Sequence, residues 1–312
     1  MKGGASVEIV EQTVYHSRRN SFGGHSSFGS FDSFHHSHSH VITNSFKNSE
    51  NYLALESFLV GDGHTVLTVG DGVFSYPFMV QLPPRLVSSF GRAGTPLAYR
   101  SNDSRGESDV TYHLEAGMKL VGREDLVMSK PISIHAILNL NTLSEASLVG
   151  EVEESKTFRR ICFCLGCQSN PLSVKVRIPK MGYLPGETIS FQVEVNNQSG
   201  KDINDLTAQL VEVVVVHAMD KTKTLLTTVT EEIRRGETGA YDNWQGELVV
   251  PQEGVVYPSK LGGGCSIIDL DYFIKVTVHV VGCCSLNLEV VCNYSLEPVV
   301  HVSPECQVSE SF

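Results

Sequence analysis

The chain has 312 residues and a mass of 34.2 kDa, which is enough for about two domains of ordinary size. Hydrophobic residues make up 41% of it and charged residues 19%, a balance that supports a buried core and excludes global disorder. The formal net charge of −11 argues against nucleic-acid binding, because neutralising phosphates requires clustered lysines and arginines.

The sequence shows no targeting signal and no membrane-spanning run. No apolar stretch approaches the roughly 20 uncharged residues that a spanning helix needs. Even the most aliphatic segment, Leu210 to Val216, is interrupted by Glu212. We therefore expect a cytoplasmic protein, in which the eight cysteines are thiols rather than disulfides.

The segment 17–40 consists largely of Ser, His, Phe and Gly and contains no Val, Ile or Leu. Such a composition buries too little aliphatic surface to offset the entropy of ordering, so we predict a disordered loop. Its clustered histidines are interpreted as a polar tract with adventitious metal affinity.

Beyond this loop, apolar and polar residues alternate with a period of two. The pattern covers the segments 132–140, 189–195, 274–280 and 286–290, and turn residues separate them, as at 184–187. One apolar and one polar face is typical of antiparallel strands packed on a single side. The sequence therefore predicts an all-β fold of two immunoglobulin-like antiparallel β-sandwiches in tandem.

The two halves are predicted to meet at a linker. We assign residues 1–141 to the first sandwich, 142–171 to the linker, 172–300 to the second sandwich and 301–312 to a short tail. The linker contains both acidic and basic clusters, a composition typical of a solvated connection.

A cysteine cluster in the linker, Cys162, Cys164 and Cys167, is the strongest chemical signal in the sequence. Three thiolates at this spacing are low-ranking zinc candidates, because the spacing is irregular for a zinc site. The cysteines available as a fourth ligand are Cys265, Cys283 and Cys284. The alternatives are surface thiols, lipidated or oxidised beside Arg159 and Arg160, and plain structural cysteines, which we favour. We therefore expect no metal site.

Enzyme signatures are not found in the sequence. The Gly-Asp-Gly triplets at 61–63 and 70–72 are interpreted as hairpin turns, since neither sits between a strand and a helix as phosphate loops do. Trp244 is interpreted as a core anchor. We expect a protein without catalytic residues, enzymatic activity or a cofactor.

Several motifs together resemble the arrestin fold and, within it, the alpha-arrestins, or arrestin-domain-containing proteins. In the first half these are residues 72–83, ending in Leu82-Pro83, with the Ser-Phe-Gly turn at 89–91, and residues 132–141 as a last strand. In the second half they are residues 180–187, followed by Trp244 with its Val-Pro pair at 250–251. The resemblance covers roughly residues 61–281 and implies two arrestin-type sandwiches.

The chain departs from the family pattern in three places. One is that residues 288–300 differ from the Ile-Gly-Thr segment that usually closes the family's C-terminal domain. No opening Tyr-x-Pro-Gly hairpin precedes Val7, so we expect an incomplete first sandwich. The family's Pro-Pro-x-Tyr motif, which docks WW domains of ubiquitin ligases, does not occur, because Pro83-Pro84 is followed by Arg85-Leu86.

The resemblance implies an adaptor that binds cytoplasmic segments of membrane receptors or transporters and helps sort them through endocytosis and endosomes. Ubiquitin ligases and endosomal sorting proteins are implied as further partners, with peripheral association at the plasma membrane and endosomes. No binding residue can be assigned from the sequence. Two alternatives remain: a cysteine-dependent redox or signalling regulator that acts through the 162–167 cluster, and a truncated form that competes for partners.

Overall fold

The regular structure of the chain consists of twelve β-strands and three short 3-10 helices within the part that the structure describes. The computed structural model describes residues 1–17, 38–84, 86–91, 108–136, 140–158, 169–252, 256–262, 264–281 and 286–293. The strands are β1 (Lys2–Ser17), β2 (His38–Ala54), β3 (Ser108–Met118), β4 (Leu126–Ile132), β5 (Gly150–Lys156), β6 (Leu172–Ile178), β7 (Thr188–Asn197), β8 (Ile203–Ala218), β9 (Lys221–Arg235), β10 (Tyr241–Val249), β11 (Ile268–Val280) and β12 (Leu286–Asn293). The 3-10 helices are Leu140–Thr142, Ser144–Ser147 and Ser259–Gly262.

These strands form three four-stranded sheets. Sheet I has the order β2-β1-β3-β4, sheet II the order β10-β7-β6-β5, and sheet III the order β12-β11-β8-β9. Every pairing is antiparallel. The prediction of an all-β chain of antiparallel sheets is confirmed. Among the described residues, no helix has the length and apolar character that crossing a bilayer demands.

Sheets II and III pack face to face around the first core. The alternation predicted for 189–195 is confirmed in β7, where Ile189, Phe191, Val193 and Val195 are all buried. The inner faces of β6, β8 and β11 contribute further aliphatic side chains to the same core. Burial of one face of each strand is what a period of two requires, since successive side chains point to opposite sides of a sheet.

The sandwich is closed along both of its sides. Strand β9 of sheet III lies against β10 of sheet II, and β12 lies against β5. Strand β5 falls inside the range predicted as a linker, and it pairs with β6 along its whole length. Val152 of β5 packs against the first core, so this part of the predicted linker contributes to the sandwich.

Strands β8 and β11 are long enough to reach beyond the first core. On β8, Leu206, Ala208 and Leu210 face the first core, whereas Val214 and Val216 face a second one. The even-numbered residues of β8 therefore line one continuous inner face that serves two cores in succession.

Sheet I covers the second core. Val7 and Ile9 of β1 and Val110 and Tyr112 of β3 are buried against the far ends of β8 and β11. Strands β1 and β2 pair from Lys2↔Ala54 outward, and β1 also pairs with the start of β3. In the described part of the first half there is one sheet, and its partner layer is supplied by sheet III.

Two segments differ from the sequence-based expectation. Within the predicted loop 17–40, Ser17 ends β1 and residues 38–40 begin β2, while residues 18–37 lie outside the described part. The predicted strand 132–141 is wrong for most of its described residues, because β4 ends at Ile132. The hydroxyls of Ser88 and Ser89 accept hydrogen bonds from backbone amides of this segment, in place of a neighbouring strand.

The segment 55–83 carries no strand, although its apolar residues alternate from 74 to 82. A strand requires a partner to satisfy its backbone, and none of the described strands pairs here. Many of its large apolar side chains are exposed: Phe58, Leu59, Val66, Leu67, Val69, Val73, Phe74, Tyr76, Phe78, Met79 and Leu82.

Candidate functional site

Sheet I and the segments 86–91 and 133–136 beside it contact the ends of β8 and β11 and the 3-10 helix Ser259–Gly262, and we call this contact the joint. Backbone contacts hold it together. The Ser88 amide donates to the Leu261 carbonyl at 2.8 Å, and the Ala136 amide donates to the Ser88 hydroxyl oxygen at 2.9 Å. Gly262 lies so close to Ala136 that a Cβ atom added to Gly262 would be 2.3 Å from Cβ of Ala136. Only a residue without a side chain permits this approach.

A carboxylate crosses the joint at a second place. Glu50 of β2 accepts a hydrogen bond from the Tyr52 hydroxyl at 2.6 Å and one from the Ser266 amide at 3.2 Å. The Ser266 hydroxyl also donates to it. Burial alone would raise the pKa of Glu50, but these hydrogen bonds outweigh burial and lower it, so the carboxylate is held in its charged form.

Cys265 lies beside this contact as a half-buried free thiol. Its sulfur accepts a hydrogen bond from the Ile268 amide at 3.3 Å. Burial, together with hydrogen bonds to Cys265 and Glu50, raises the pKa of the neighbouring Tyr52. This cysteine therefore helps to pack the joint; the other cysteines considered as zinc ligands (162, 164, 167, 283 and 284) lie outside the described residues.

A polar group lies on the inner face of sheet III, between the two cores. Glu212 of β8 stands directly opposite Tyr272 of β11, and their side-chain oxygens are 3.0 Å apart. The Tyr272 hydroxyl also contacts the backbone of Tyr257, with its oxygen 3.0 Å from both the amide nitrogen and the carbonyl oxygen. Burial raises the pKa of Glu212 above its usual value of 4.5, and the hydrogen bond from Tyr272 only partly offsets this.

The outer edge of sheet I is free along β4, since none of the described strands pairs with that side. Leu126 and Met128 lie on the same face of the sheet as buried Tyr112, but beyond the core, where both are exposed. Together with Met118 of β3, they form an exposed apolar strip. A free strand edge with unpaired backbone groups and an apolar strip beside it can accept an extended peptide as an added strand.

Hydrogen bonds fix the backbone at two of the segments interpreted as turns, 61–63 and 184–187. The Asp62 carboxylate accepts hydrogen bonds from the amides of His64 and Thr65, at 2.9 and 2.7 Å, and from the Thr65 hydroxyl. These bonds lower the pKa of Asp62 to about 2. The carboxylate thus closes a local bend. The prediction of hairpin turns at 61–63 and 70–72 is wrong, because no described strand flanks either triplet. At 184–187, Gly186 has a φ of 84° and the Glu187 amide donates to the Leu184 carbonyl at 3.0 Å.

Trp244 lies in the first core, as predicted. Its ring is 6% exposed and meets the Phe191 ring edge to face, with centroids 4.9 Å apart. No group of three His, Cys, Asp or Glu side chains with metal-binding geometry occurs among the described residues. The 162–167 cluster is outside that part of the chain, so the zinc interpretation stays a prediction.

Comparison with known proteins gives one family match. Residues 168–297 match the family described as "Arrestin (or S-antigen), C-terminal domain". The matched range begins just before β6 and ends after β12, so it spans most of the closed sandwich.

Similarity to curated proteins extends further along the chain. Arrestin domain-containing protein 4 of Homo sapiens is 28% identical over 233 residues, which cover 73% of this chain and 49% of that protein. Arrestin domain-containing protein 4 of Mus musculus is 26% identical over 241 residues, with 76% and 52% covered. Arrestin domain-containing protein 17 of Caenorhabditis elegans is 27% identical over 255 residues, with 74% and 53% covered.

The chain spans about half the length of the curated relatives it matches. Among solved structures, the crystal structure of Spo0M, a sporulation control protein from Bacillus subtilis, is 17% identical with a TM-score of 0.31, covering 38% of this chain and 46% of that one. The resemblance to arrestin-domain-containing proteins that was predicted from the sequence is confirmed by the family match and the curated relatives.

Proposed function

We propose, from the match of residues 168–297 to the arrestin C-terminal domain, that this chain is an arrestin-like adaptor that acts by binding proteins and not by catalysis. Its ligands in this proposal are extended cytoplasmic segments of membrane receptors or transporters. The closed sandwich serves as the rigid body, and sheet I, attached at the joint, offers the binding surface.

The observation that supports this mode of binding is the free edge of β4. An extended segment paired with residues 126–130 would satisfy the unpaired backbone groups of the edge. Its alternate side chains would cover Met118, Leu126 and Met128, which are 52%, 61% and 75% exposed. Pro131 has no N–H to donate, so we expect pairing to end there.

The wider role that we propose is the sorting of these membrane proteins through endocytosis and endosomes, with the chain in the cytoplasm and peripherally at the plasma membrane and endosomes. Ubiquitin ligases and endosomal sorting proteins are further partners in this proposal; Pro83-Pro84, followed by Arg85-Leu86, is not a Pro-Pro-x-Tyr motif for a WW domain.

The test compares three forms of the full chain, each tagged, expressed in cells and cross-linked before purification. Met128→Lys places a charge on the apolar strip. Leu226→Lys is the matched control, since Leu226 is 62% exposed on β9, the outer strand of another sheet. Both changes replace an exposed apolar residue with lysine, so neither opens a cavity.

We expect wild type and Leu226→Lys to recover the same integral membrane proteins. Met128→Lys should recover about tenfold less of them, which corresponds to about 1.4 kcal/mol of binding. Equal recovery by all three forms would mean that binding occurs elsewhere on the chain. If only chaperones are recovered, the adaptor proposal fails. A parallel sample with alkylated thiols addresses the cysteine-dependent alternative, which requires alkylation to abolish capture.

A further inference from the structure

Glu212 is the only Asp, Glu, Lys or Arg among the buried residues that the structure describes. It lies midway along the inner face of β8, between Leu210 of the first core and Val214 of the second. Tyr272, its partner across the strand pair, packs against both cores. The Glu212 carboxyl group therefore lies at the boundary between the core of the sandwich and the core of the joint.

The contacts of the Tyr272 hydroxyl oxygen with Glu212 and with the Tyr257 carbonyl determine how many protons these three groups must share. The Tyr272 hydroxyl oxygen is 3.0 Å from Oε2 of Glu212 and 3.0 Å from the carbonyl oxygen of Tyr257. Both separations are hydrogen-bond distances between oxygens, and each such bond requires one proton. The hydroxyl carries a single proton, and a carbonyl carries none.

With Glu212 ionised, one proton is available for two contacts, and one contact becomes an approach between lone pairs. With Glu212 protonated, the carboxyl O–H donates to the Tyr272 oxygen, and the Tyr272 O–H donates to the Tyr257 carbonyl. The Tyr257 amide donates to the same Tyr272 oxygen in either case. Only with Glu212 protonated are all three short contacts of the Tyr272 hydroxyl hydrogen bonds. This count does not depend on any further contact that Tyr257 makes.

Among the residues that the structure describes, no opposite charge acts on an ionised Glu212, whose pKa responds only to burial and to Tyr272. Thr227 is its partner on β9, and Asp271 alternates onto the other face of β11. Sheet I packs apolar side chains and the phenols of Tyr52 and Tyr112 into the second core, and its one carboxylate described at the joint, Glu50, has the same sign of charge as an ionised Glu212. From the segment before β11, Tyr257 and the thiol of Cys265 reach this core.

We propose that Glu212 is a neutral carboxylic acid when sheet I is docked, and that its ionisation loosens the joint. The acid is the bridge between the two cores, so its loss of a proton releases the Tyr272–Tyr257 contact that holds the segment before β11. Sheet I and the sandwich then separate more readily as the surroundings become less acidic. If β4 of sheet I is the binding surface, as the proposed function has it, ionisation of Glu212 also changes how firmly that surface is attached to the sandwich.

The direction of the pH effect follows from the raised pKa of Glu212. A carboxyl whose pKa is higher in the folded chain than its usual value of 4.5 contributes stability that is fully present below 4.5. That contribution is lost as the pH rises through the folded pKa. Between the two values the unfolding equilibrium shifts by about tenfold per pH unit, because one proton is released on unfolding.

The experiment measures urea unfolding of the full chain from about pH 5 to about pH 8 for wild type, Glu212→Gln and Glu231→Gln. Glutamine keeps an N–H donor for the Tyr272 oxygen and cannot ionise. Glu231 is an exposed carboxylate on β9, bonded by the Gln209 amide at 3.0 Å, so its substitution removes a charge from the same sheet away from the joint.

As the pH rises, we expect the free energy of unfolding of wild type to fall relative to that of Glu212→Gln, which cannot ionise. Glu231→Gln should follow wild type. Difference infrared spectra should show a carboxyl that is still protonated in wild type above its usual pKa of 4.5 and that Glu212→Gln lacks. A pH-independent difference, or a spectrum without that carboxyl, overturns the proposal. If Glu212→Gln does not fold, a carbon-13 NMR titration of the glutamates in wild type decides: every carboxyl ionising near 4.5 refutes it.

Discussion

Replacing Gly262 with alanine should weaken the joint, because an added methyl group there has no room. Gly262 has a φ of 80°, in the left-handed region that side chains disfavour. An added Cβ would lie 2.3 Å from Cβ of Ala136, far inside ordinary contact distance. The two segments must therefore move apart, although Ser88 binds both through its amide and its hydroxyl.

The size of the effect can be worked from these contacts. The left-handed conformation costs alanine about 1–2 kcal/mol. Overpacking at a contact that cannot yield costs about 1–3 kcal/mol more, and part of this is the loss of the Ser88 hydrogen bonds. Gly262→Ala should thus lower the free energy of unfolding by about 2–5 kcal/mol.

Gly122→Ala is the matched control, because Gly122 has a φ of 71° but no atom within 4 Å of an added Cβ. It should cost only the conformational part, about 1–2 kcal/mol. The assay is urea unfolding, combined with hydrogen exchange of the backbone amides. In Gly262→Ala, the amides of β1 and β3 should lose more protection than those of β6 and β7. Equal destabilisation by the two substitutions would refute the close approach at the joint.

Two further predictions concern the closed sandwich. Trp244→Ala removes the ring that meets Phe191 and should lower the free energy of unfolding by about 3–5 kcal/mol, measured by urea unfolding; a change within experimental error would place the ring outside the core. Glu187 accepts hydrogen bonds from Lys180 and from the Leu184 amide, which lower its pKa below 4.5, so its contribution is present above 4.5 and is lost as the pH falls through the folded pKa. Glu187→Gln should therefore differ from wild type near neutral pH and converge with it in acid; a constant gap would contradict the ion pair.

The sandwich of sheets II and III could be predicted from the sequence because its signals are local. The alternation in β7 and β11 specifies which face is buried, and the turn at 184–187 specifies where one strand begins. These features depend on neighbours along the chain, so composition and period suffice to find them.

The joint could not be predicted in the same way, since it depends on contacts between distant residues. The pattern at 74–82 is that of a strand, but no described strand pairs with it, because pairing depends on what else the fold places nearby. Ile134 and Ala136 are bonded to serine hydroxyls rather than to a strand. Glu212 was visible in the sequence only as an interruption of an aliphatic run. Its even position, in step with Leu210, could have indicated that it faces inward.

In the function proposed here, sheet I binds an extended segment along β4. Hydrogen exchange of the full chain, with and without a cytoplasmic peptide recovered from the cross-linked complexes, tests it most directly. We expect slower exchange of the amides of residues 126–130 when the peptide is bound, with the amides of β6 and β7 unchanged. Protection that appears only in other parts of the chain would contradict it.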